Sequence, residues 1–323
     1  MFKVIHATYG NKDVTSIVRD NVSDESIYIA IGNTLFGDPH PFALKTFNIE
    51  YSLDGIIYKS TMAEGDVFKI SPKVDFIPIS CKCITYGRVE FIEESIESFL
   101  RQEYPGEYEL VIVNDYPKQK LIFNHPKVRI YNLDFTFNTI GEKENFAISA
   151  CKYDNIAVWD DDDLALPNHL SNINKYFPSY DLLHWQNGVA FVTHKIAAIR
   201  SLGNSGIVYT KNIWQRVGGH AFENAGYDTT FVQRIKKAGG RLSLAFPPNN
   251  EVSWFYNWGN GSYHMSGMGG DDDSRPNVIV RHSDYIEKLR KQGKIPTGDV
   301  VLNPNWKQDY KQVLIDYCNG KNN

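Results

Sequence analysis

Cysteine is scarce in this sequence: only four cysteines occur in 323 residues, at positions 81, 83, 151 and 318. Small folds that depend on disulfides have many closely spaced cysteines, so this composition excludes a disulfide framework. Cys81 and Cys83 lie two residues apart in a strand-like run and therefore share one face of that strand. We expect them to be core thiols rather than a pair of metal ligands.

Long apolar segments are also missing. No run approaches the ~18 apolar residues that a membrane-spanning helix needs, and the opening MFKVIHATYGNKDVT contains no apolar signal-peptide core. A cytoplasmic location without a membrane span is therefore expected. The formal net charge of −4 provides no general attraction to nucleic acid or to an anionic membrane, although it is compatible with a local basic patch.

The length permits more than one domain, and the sequence pattern changes near residue 75. Residues 1–74 contain short β-rich runs separated by turn signals such as GDPHP and LDG. These runs are SIYIAIGN, TFNIEYSLDGIIYKS and DVFKI. They predict a small all-β, sandwich-like accessory domain, in which no histidine or acidic residue has the spacing of a ligand set.

Residues 75–323 alternate strand-like and helix-like segments. The predicted strands are the apolar runs PISCKCIT, YELVIVND, KVRIYNL and NIAVW, and the predicted helices include VEFIEESIESFLRQ and GEKENFAISAC. This alternation indicates an α/β fold with a mostly parallel, doubly wound sheet. Ligands of such sheets bind at the carboxyl ends of the strands, where CITYGR, VNDYP and WDDDD all lie.

The segment VWDDDD places four consecutive carboxylates, Asp160 to Asp163, behind one of these strands. Adjacent negative charges repel one another, and such a run is often only a solvated acidic turn. Its position at the ligand-binding edge instead suits a hard divalent cation with oxygen ligands. Alternation along an extended strand would point Asp160 and Asp162 to one side, and Asp161 and Asp163 to the other.

Several segments in order resemble the family-2 glycosyltransferases, whose nucleotide-sugar-binding fold is called GT-A. They are IPISCKCITYGRVEFIEESIESFLRQEYPGEYELVIVND, GEKENFAISACKYDNIAVWDDDDLALPNHL and GIVYTKNIWQRVGGHAFENAGYDTTFVQRIKKAG. The resemblance covers roughly residues 78–265 and leaves the N-terminal module outside. It implies a GT-A domain over residues 75–323, which ends in C-terminal helices.

The resemblance also implies roles for individual residues. The nucleotide would be bound by Thr85, Tyr86, Asp115, Lys143, Asp160 and Asp161. The metal, Mn²⁺ or Mg²⁺, would be held by Asp162 and His264. Asp228 would be the general base that takes the proton of the acceptor hydroxyl. For Asp115 the alternative is a turn-forming aspartate, and for Lys143 it is a solvated lysine on a helix face.

Two positions depart from the family pattern. The usual Asp-Asp pair is Asn114–Asp115 in this chain, and Tyr227 stands before Asp228 where the family has Glu. Asp228 also lies where the N-cap of the following helix would be, so capping is an alternative to catalysis. Glu223 is then the fallback carboxylate for the base.

The segment SWFYNWGNGSYHMSGMGG combines five aromatic rings with many glycines. This composition is typical of a mobile lid, in which Trp254 and Trp258 either stack on a sugar or belong to the core. The second acidic run, residues 271–273, is interpreted as a solvated loop. The segments SDYIEKLRKQ and NWKQDYKQVLIDYC predict two C-terminal surface helices.

Together these features predict a metal-dependent, inverting glycosyltransferase that moves a sugar from a UDP-sugar to a hydroxyl acceptor, such as a glycan, in glycan biosynthesis. The alternative from another class is a sugar-nucleotide or glycan-binding protein on the same scaffold without transfer activity. A third interpretation keeps the enzyme but gives it an unusual acceptor, such as a modified base in DNA. The net charge does not favour that acceptor.

Overall fold

The computed structural model describes residues 2–23, 26–53, 55–70, 76–192, 195–200, 206–224, 226–258 and 278–320. The chain divides into two compact units, Met1–Asp75 and Phe76–Asn323. None of the described helices combines the length and the apolar character that crossing a bilayer requires.

The first unit consists mainly of short antiparallel strands. They are β1 Phe2–Tyr9, β2 Lys12–Asp13, β3 Val22–Ser23, β4 Ser26–Ala30, β5 Thr46–Leu53, β6 Ile56–Ala63 and β7 Val67–Ile70. One sheet has the order β2-β1-β5-β6 and the other has the order β3-β4-β7. Apolar residues from both sheets form one core, in which Phe47 of β5 packs near Phe68 of β7. The arrangement is the sandwich-like packing that the β-rich runs predict.

The prediction that this unit is all-β is wrong in one respect, because it also contains two short helices. These are α1 Thr15–Asp20 and α2 Asn33–Phe36, which bury Val18 and Phe36 respectively. Helices of six and four residues complete fewer than two turns. They are therefore too short to produce a helical period in the sequence.

The second unit contains the remaining strands and helices. Its strands are β8 Ile79–Thr85, β9 Tyr108–Asn114, β10 Gln119–Ile122, β11 Val128–Asn132, β12 Asn155–Val158, β13 Leu164–Ala165, β14 Leu182–Trp185, β15 Gly188–Val192, β16 Lys195–Arg200, β17 Val208–Thr210, β18 Leu242–Ala245, β19 Trp254–Trp258 and β20 Gly298–Val301. Its helices are α3 Val89–Leu100, α4 Ile140–Ala150, α5 His169–Tyr176, α6 Lys211–Arg216, α7 Tyr227–Lys237, α8 Val278–Lys291 and α9 Tyr310–Cys318, with a 3₁₀ turn at Asn249–Glu251.

The central sheet has seven strands in the order β11-β9-β8-β12-β17-β14-β18. The four strands from β11 to β12 are parallel, and β17 runs antiparallel to both of its neighbours. Two smaller sheets have the orders β13-β19-β15-β16 and β10-β20. The mostly parallel α/β architecture is confirmed, and β17 is where the chain departs from a fully parallel sheet.

Both faces of the central parallel strands are covered, which explains why their sequences are continuously apolar. Cys81 and Cys83 of β8 are fully buried free thiols, as their spacing predicts. Helix α3 buries Ile92, Ile96 and Phe99 on one stripe, which is the face that the helical period predicts. The two predicted C-terminal helices correspond to α8 and α9.

Candidate functional site

The carboxyl ends of β8, β9 and β12 lie side by side at one edge of the central sheet. Thr85, the last residue of β8, pairs in register with Asn114, the last residue of β9. On the other side of β8, Val158 of β12 pairs with Lys82. The segments that follow these three strands therefore meet at one edge, as the strand order predicts.

The four carboxylates form a turn, residues 160–163, which we call the acidic turn. Strand β12 ends at Val158, so these residues are not part of a ladder and the expected alternation of their side chains is wrong. Asp161 and Asp162 instead approach the same guanidinium nitrogen, Nη2 of Arg88. The distance from this nitrogen to Oδ1 of Asp161 is 2.9 Å, and Oδ2 of Asp162 also contacts it.

The acidic turn is held in place by buried groups on both sides. The indole N–H of Trp159 donates to the Ser95 carbonyl at 3.1 Å, and the Ser95 hydroxyl donates to the Asp160 carbonyl at 3.1 Å. Oδ1 of Asp163 accepts from the Asn257 backbone N–H at 2.9 Å. Asp161, Asp162 and Asp163 are buried, so the interpretation as a solvated turn is wrong.

Burial dominates the electrostatics of the acidic turn. It raises the pKa of Asp160 to about 7, where Lys82 acts in the opposite direction and Asp162 adds to the rise. Burial likewise raises the pKa of Asp161 to about 6, with Arg88 opposing the rise. Four adjacent carboxyl groups in a poorly solvated place thus favour either protons or an added cation.

A buried ion pair lies beneath this edge. Lys82 of β8 contacts Glu144 of α4, and both side chains are almost inaccessible. Because Glu144 already contacts Lys82, the ammonium group can offset only part of the negative charge of the acidic turn.

Arg88 is the site residue that sequence reasoning missed. It lies between β8 and α3, at the N-cap position of α3, and its side chain reaches across to the acidic turn. Its pKa is raised because Asp161 and Asp162 offset the cost of its burial. The available signal was its place in CITYGR, a basic residue at the same sheet edge as four acids.

The residues expected to bind the nucleotide do come together. The ammonium group of Lys143 contacts Oδ1 of Asp115 and donates to the Thr85 carbonyl at 2.7 Å. Oδ2 of Asp115 accepts from the backbone N–H of Phe137 at 3.1 Å. The ring of Tyr86 lies 6.0 Å from the Lys143 nitrogen. Lys143 is buried, so the interpretation as a solvated helix-face lysine is wrong.

Asn114 shapes the turn after β9. Its amide nitrogen donates to the Gln119 carbonyl at 3.0 Å and to the Asn132 side chain at 3.1 Å. Its amide oxygen accepts from the Tyr116 N–H at 3.2 Å. An ionised aspartate has no N–H to donate, so the departure from Asp-Asp at this position has a structural cause.

Asp228 lies in the first turn of α7, not at its N-cap. The N-cap is Gly226, whose φ of 76° is in the left-handed region that favours glycine. Asp228 is therefore not the N-cap residue, although its side chain still bonds to a backbone N–H of the first turn. Oδ1 of Asp228 accepts from the Thr229 backbone N–H at 2.7 Å. The fallback carboxylate, Glu223, is exposed and accepts from the Thr230 hydroxyl at 3.3 Å.

The loop before α7 lies against the N-terminus of α4. The backbone N–H of Gly141 donates to the Glu223 carbonyl at 3.1 Å, and that of Ile140 donates to the Asn224 side chain at 3.1 Å. A Cβ at position 141 would lie 1.7 Å from the Ala221 carbonyl oxygen. Only glycine permits this approach, which places the start of α7 beside the helix that carries Lys143.

Several predicted features fall outside the described residues: His264, most of the glycine-rich segment after position 258, and the acidic run 271–273. Trp254 is described and belongs to the core, where its ring lies 5.9 Å from that of Trp159. Of the two alternatives for Trp254, the structure favours the core residue.

The acidic turn fits a divalent cation by its chemistry. Oδ2 of Asp161 and Oδ2 of Asp163 are buried and have no hydrogen-bond partner within the described part of the chain. Mg²⁺ and related ions use one or two protein carboxylates and complete their shell with phosphate and water. No group of three or more His, Cys, Asp or Glu side chains is arranged around a metal position among the described residues. The described residues therefore offer a partial ligand set.

Comparison with known proteins shows that part of the chain is similar to a known family. Residues 82–187 match the model of glycosyl transferase family 2, which confirms the resemblance over that stretch. The match and the order of the central sheet agree with the predicted GT-A fold. The matched residues include the acidic turn, the Asp115–Lys143 pair and Arg88.

A Bacillus subtilis (strain 168) protein, Uncharacterized glycosyltransferase YwdF, is 28% identical over 110 residues, which are 33% of this chain and 40% of the relative. The chain thus spans less than half the length of that relative. The S. aureus TarS 1-349 structure with UDP-GlcNAc is 16% identical with a TM-score of 0.46, over 75% of this chain and 72% of that one. The TarS 1-349 structure with UDP is 16% identical with a TM-score of 0.43, over 56% and 60% respectively.

Proposed function

We propose that this chain, whose residues 82–187 match glycosyl transferase family 2, is a glycosyltransferase that moves a sugar from a UDP-sugar to a hydroxyl acceptor with inversion. The observation that carries the proposal is the meeting of the acidic turn with the Asp115–Lys143 pair at one edge of a parallel sheet. A glycan as the acceptor and a cytoplasmic location remain predictions from the sequence.

The nucleotide is proposed to lie over the ends of β8 and β9, next to Thr85, Tyr86 and Asp115. A carboxylate has about four lone-pair positions, and in Asp115 two of them are occupied by the contacts to Lys143 and to the Phe137 N–H. Its remaining acceptor capacity suits the N–H of a uracil ring. The contact with Lys143 fixes the orientation of the Asp115 carboxylate for this role.

The acidic turn is proposed to serve the diphosphate end of the donor. Asp160 would face the ribose, and Asp162 would hold Mn²⁺ or Mg²⁺, with Asp161 beside it. A bound cation would neutralise charge on the leaving diphosphate. His264, the second expected ligand, lies outside the described residues.

Asp228 is proposed to be the general base. Its carboxylate takes the proton of the acceptor hydroxyl while that oxygen forms a bond to the anomeric carbon. The bond from that carbon to the diphosphate oxygen breaks on the opposite face, and UDP leaves with the bonding electrons. The first turn of α7 suits an ionised carboxylate, because the N-terminal end of a helix favours negative charge.

The test measures UDP release from a panel of UDP-sugars with Mn²⁺, with and without a chelator, in the presence of candidate acceptors. Asp228→Asn should lower transfer by about 10²–10⁴-fold, since that is the usual contribution of a general base. UDP binding should change little. Asp299→Asn, a change at an exposed aspartate of β20, is the matched control and should keep full activity.

Two results would contradict parts of this proposal. Binding of UDP-sugars without turnover, for every donor and acceptor tried, would favour the alternative of a non-catalytic sugar-nucleotide-binding protein. Near-normal turnover by Asp228→Asn would remove the base from this position and direct attention to Glu223.

A further inference from the structure

Arg88 contacts two aspartates of the acidic turn through a single atom. A single nitrogen of its guanidinium group, Nη2, contacts a carboxylate oxygen of Asp161 at 2.9 Å and one of Asp162. The side chain of Arg88 is 13% exposed, and those of the two aspartates are 7% and 10% exposed. One cationic atom thus contacts two neighbouring buried carboxylates, one of which, Asp162, is the proposed metal ligand.

The remaining charges around this point are strongly unbalanced. Among the described residues, the acidic turn, Glu144 and Asp115 contribute six carboxyl groups, while Arg88, Lys82 and Lys143 contribute three cations. Arg88 is therefore the main compensation for Asp161 and Asp162, because Lys82 is already paired with Glu144 and Lys143 with Asp115. A divalent ion that binds these two aspartates meets a positive charge only a few ångströms away, which is strongly repulsive in a poorly solvated site.

We propose that Arg88 is a resident cation that competes with a divalent metal ion for Asp161 and Asp162, so that metal loading requires the guanidinium group to leave. An alternative is that Arg88 is a scaffold that orients the two carboxylates for the metal. The two ideas predict opposite signs, because removing a competitor strengthens metal binding and removing a scaffold weakens it. This proposal depends on the proposed function in one respect only, namely that the bound metal ion takes part in sugar transfer.

The experiment measures Mn²⁺ affinity by titration calorimetry, and free Mn²⁺ by electron paramagnetic resonance, with the full chain and without any nucleotide. Arg88→Gln should bind Mn²⁺ at least about tenfold more tightly than the wild type, because one positive charge next to the ion is gone. Arg88→Lys keeps the charge but loses the rigid fork, so its affinity should lie between the two.

Arg241→Gln is the matched control. Arg241 also contacts an aspartate, with 3.3 Å between its Nη2 and Oδ1 of Asp181, but its side chain is 66% exposed. This variant removes the same charge from a solvated pair and should leave Mn²⁺ affinity unchanged. A general effect of net charge would instead tighten binding in both Gln variants equally and would overturn the proposal.

Loss of folding is also informative. Without Arg88 the two buried aspartates repel each other, so Mn²⁺ should raise the melting temperature of Arg88→Gln more than that of the wild type. If Arg88→Gln is unfolded without metal, refolding in Mn²⁺ should rescue it. Unchanged or weaker Mn²⁺ affinity in the folded variants, or failure of this rescue, overturns the proposal. Because the assay contains no sugar donor, a result against this proposal is distinguishable from an absence of glycosyl transfer.

Discussion

The ion pair between Lys82 and Glu144 allows a direct test of how much buried charge pairing contributes to the stability of this site. The side chains are 3% and 1% exposed, so each charge depends on the other for compensation. Lys82→Met keeps the length of the apolar stem but leaves the Glu144 carboxylate buried without its cation. Breaking a buried pair by removing one partner typically costs ~3–5 kcal/mol.

This cost translates into a measurable shift. For a protein of this size, ~1 kcal/mol corresponds to ~2–4 °C in the melting temperature, so Lys82→Met should melt roughly 6–20 °C below the wild type. Urea unfolding should give a free energy of unfolding lower by ~3–5 kcal/mol. The same substitution should raise the pKa of Asp160 further, since Lys82 opposes the effect of burial on that group.

Two variants control for the interpretation. Lys82→Met combined with Glu144→Met replaces the pair by apolar side chains and should recover most of the lost stability, because Glu144 no longer leaves a buried carboxylate without its cation. Lys175→Met removes a lysine that is 54% exposed and pairs with Glu251, so it should cost about 1 kcal/mol or less. A Lys82→Met protein as stable as Lys175→Met, or a double variant less stable than the single one, would refute the reasoning.

Two further predictions concern a close contact and a buried histidine. Gly141→Ala should destabilise the protein and weaken transfer, because the new Cβ would lie 1.7 Å from the Ala221 carbonyl oxygen and push the loop before α7 away. Thermal unfolding would detect the loss of stability, and UDP release would detect the loss of transfer. An unchanged melting temperature and an unchanged rate would contradict the contact. Burial lowers the pKa of His169 in the folded state to about 3, whereas the unfolded chain has the ordinary value of ~6.5. As the pH falls through this range the unfolded state binds a proton and the folded state does not, so the free energy of unfolding decreases. His169→Gln, which can still bond to Ser253, should therefore show a shallower fall in unfolding free energy over this pH range; an unchanged slope in urea unfolding would contradict the assignment.

The sequence alone was sufficient for the features that depend on local pattern. The apolar runs identify β8, β9, β11 and β12, and their alternation with helices predicts the parallel sheet and the edge where its ligands bind. The helical period of VEFIEESIESFLRQ likewise predicts the face of α3 that buries Ile92, Ile96 and Phe99. Features of this kind are readable because the hydrophobic period acts over a few residues.

The tertiary structure decided which charges meet. Lys82 and Glu144 are 62 residues apart in sequence, and Asp115 and Lys143 are 28 apart. The turn at residues 160–163 brings Asp161 to the same side as Asp162, although a strand would have separated them. The role of Arg88 likewise depends on the parallel pairing of β8 with β12. Side-chain pairing at this site follows from the three-dimensional path of the chain, which no local pattern of residues encodes.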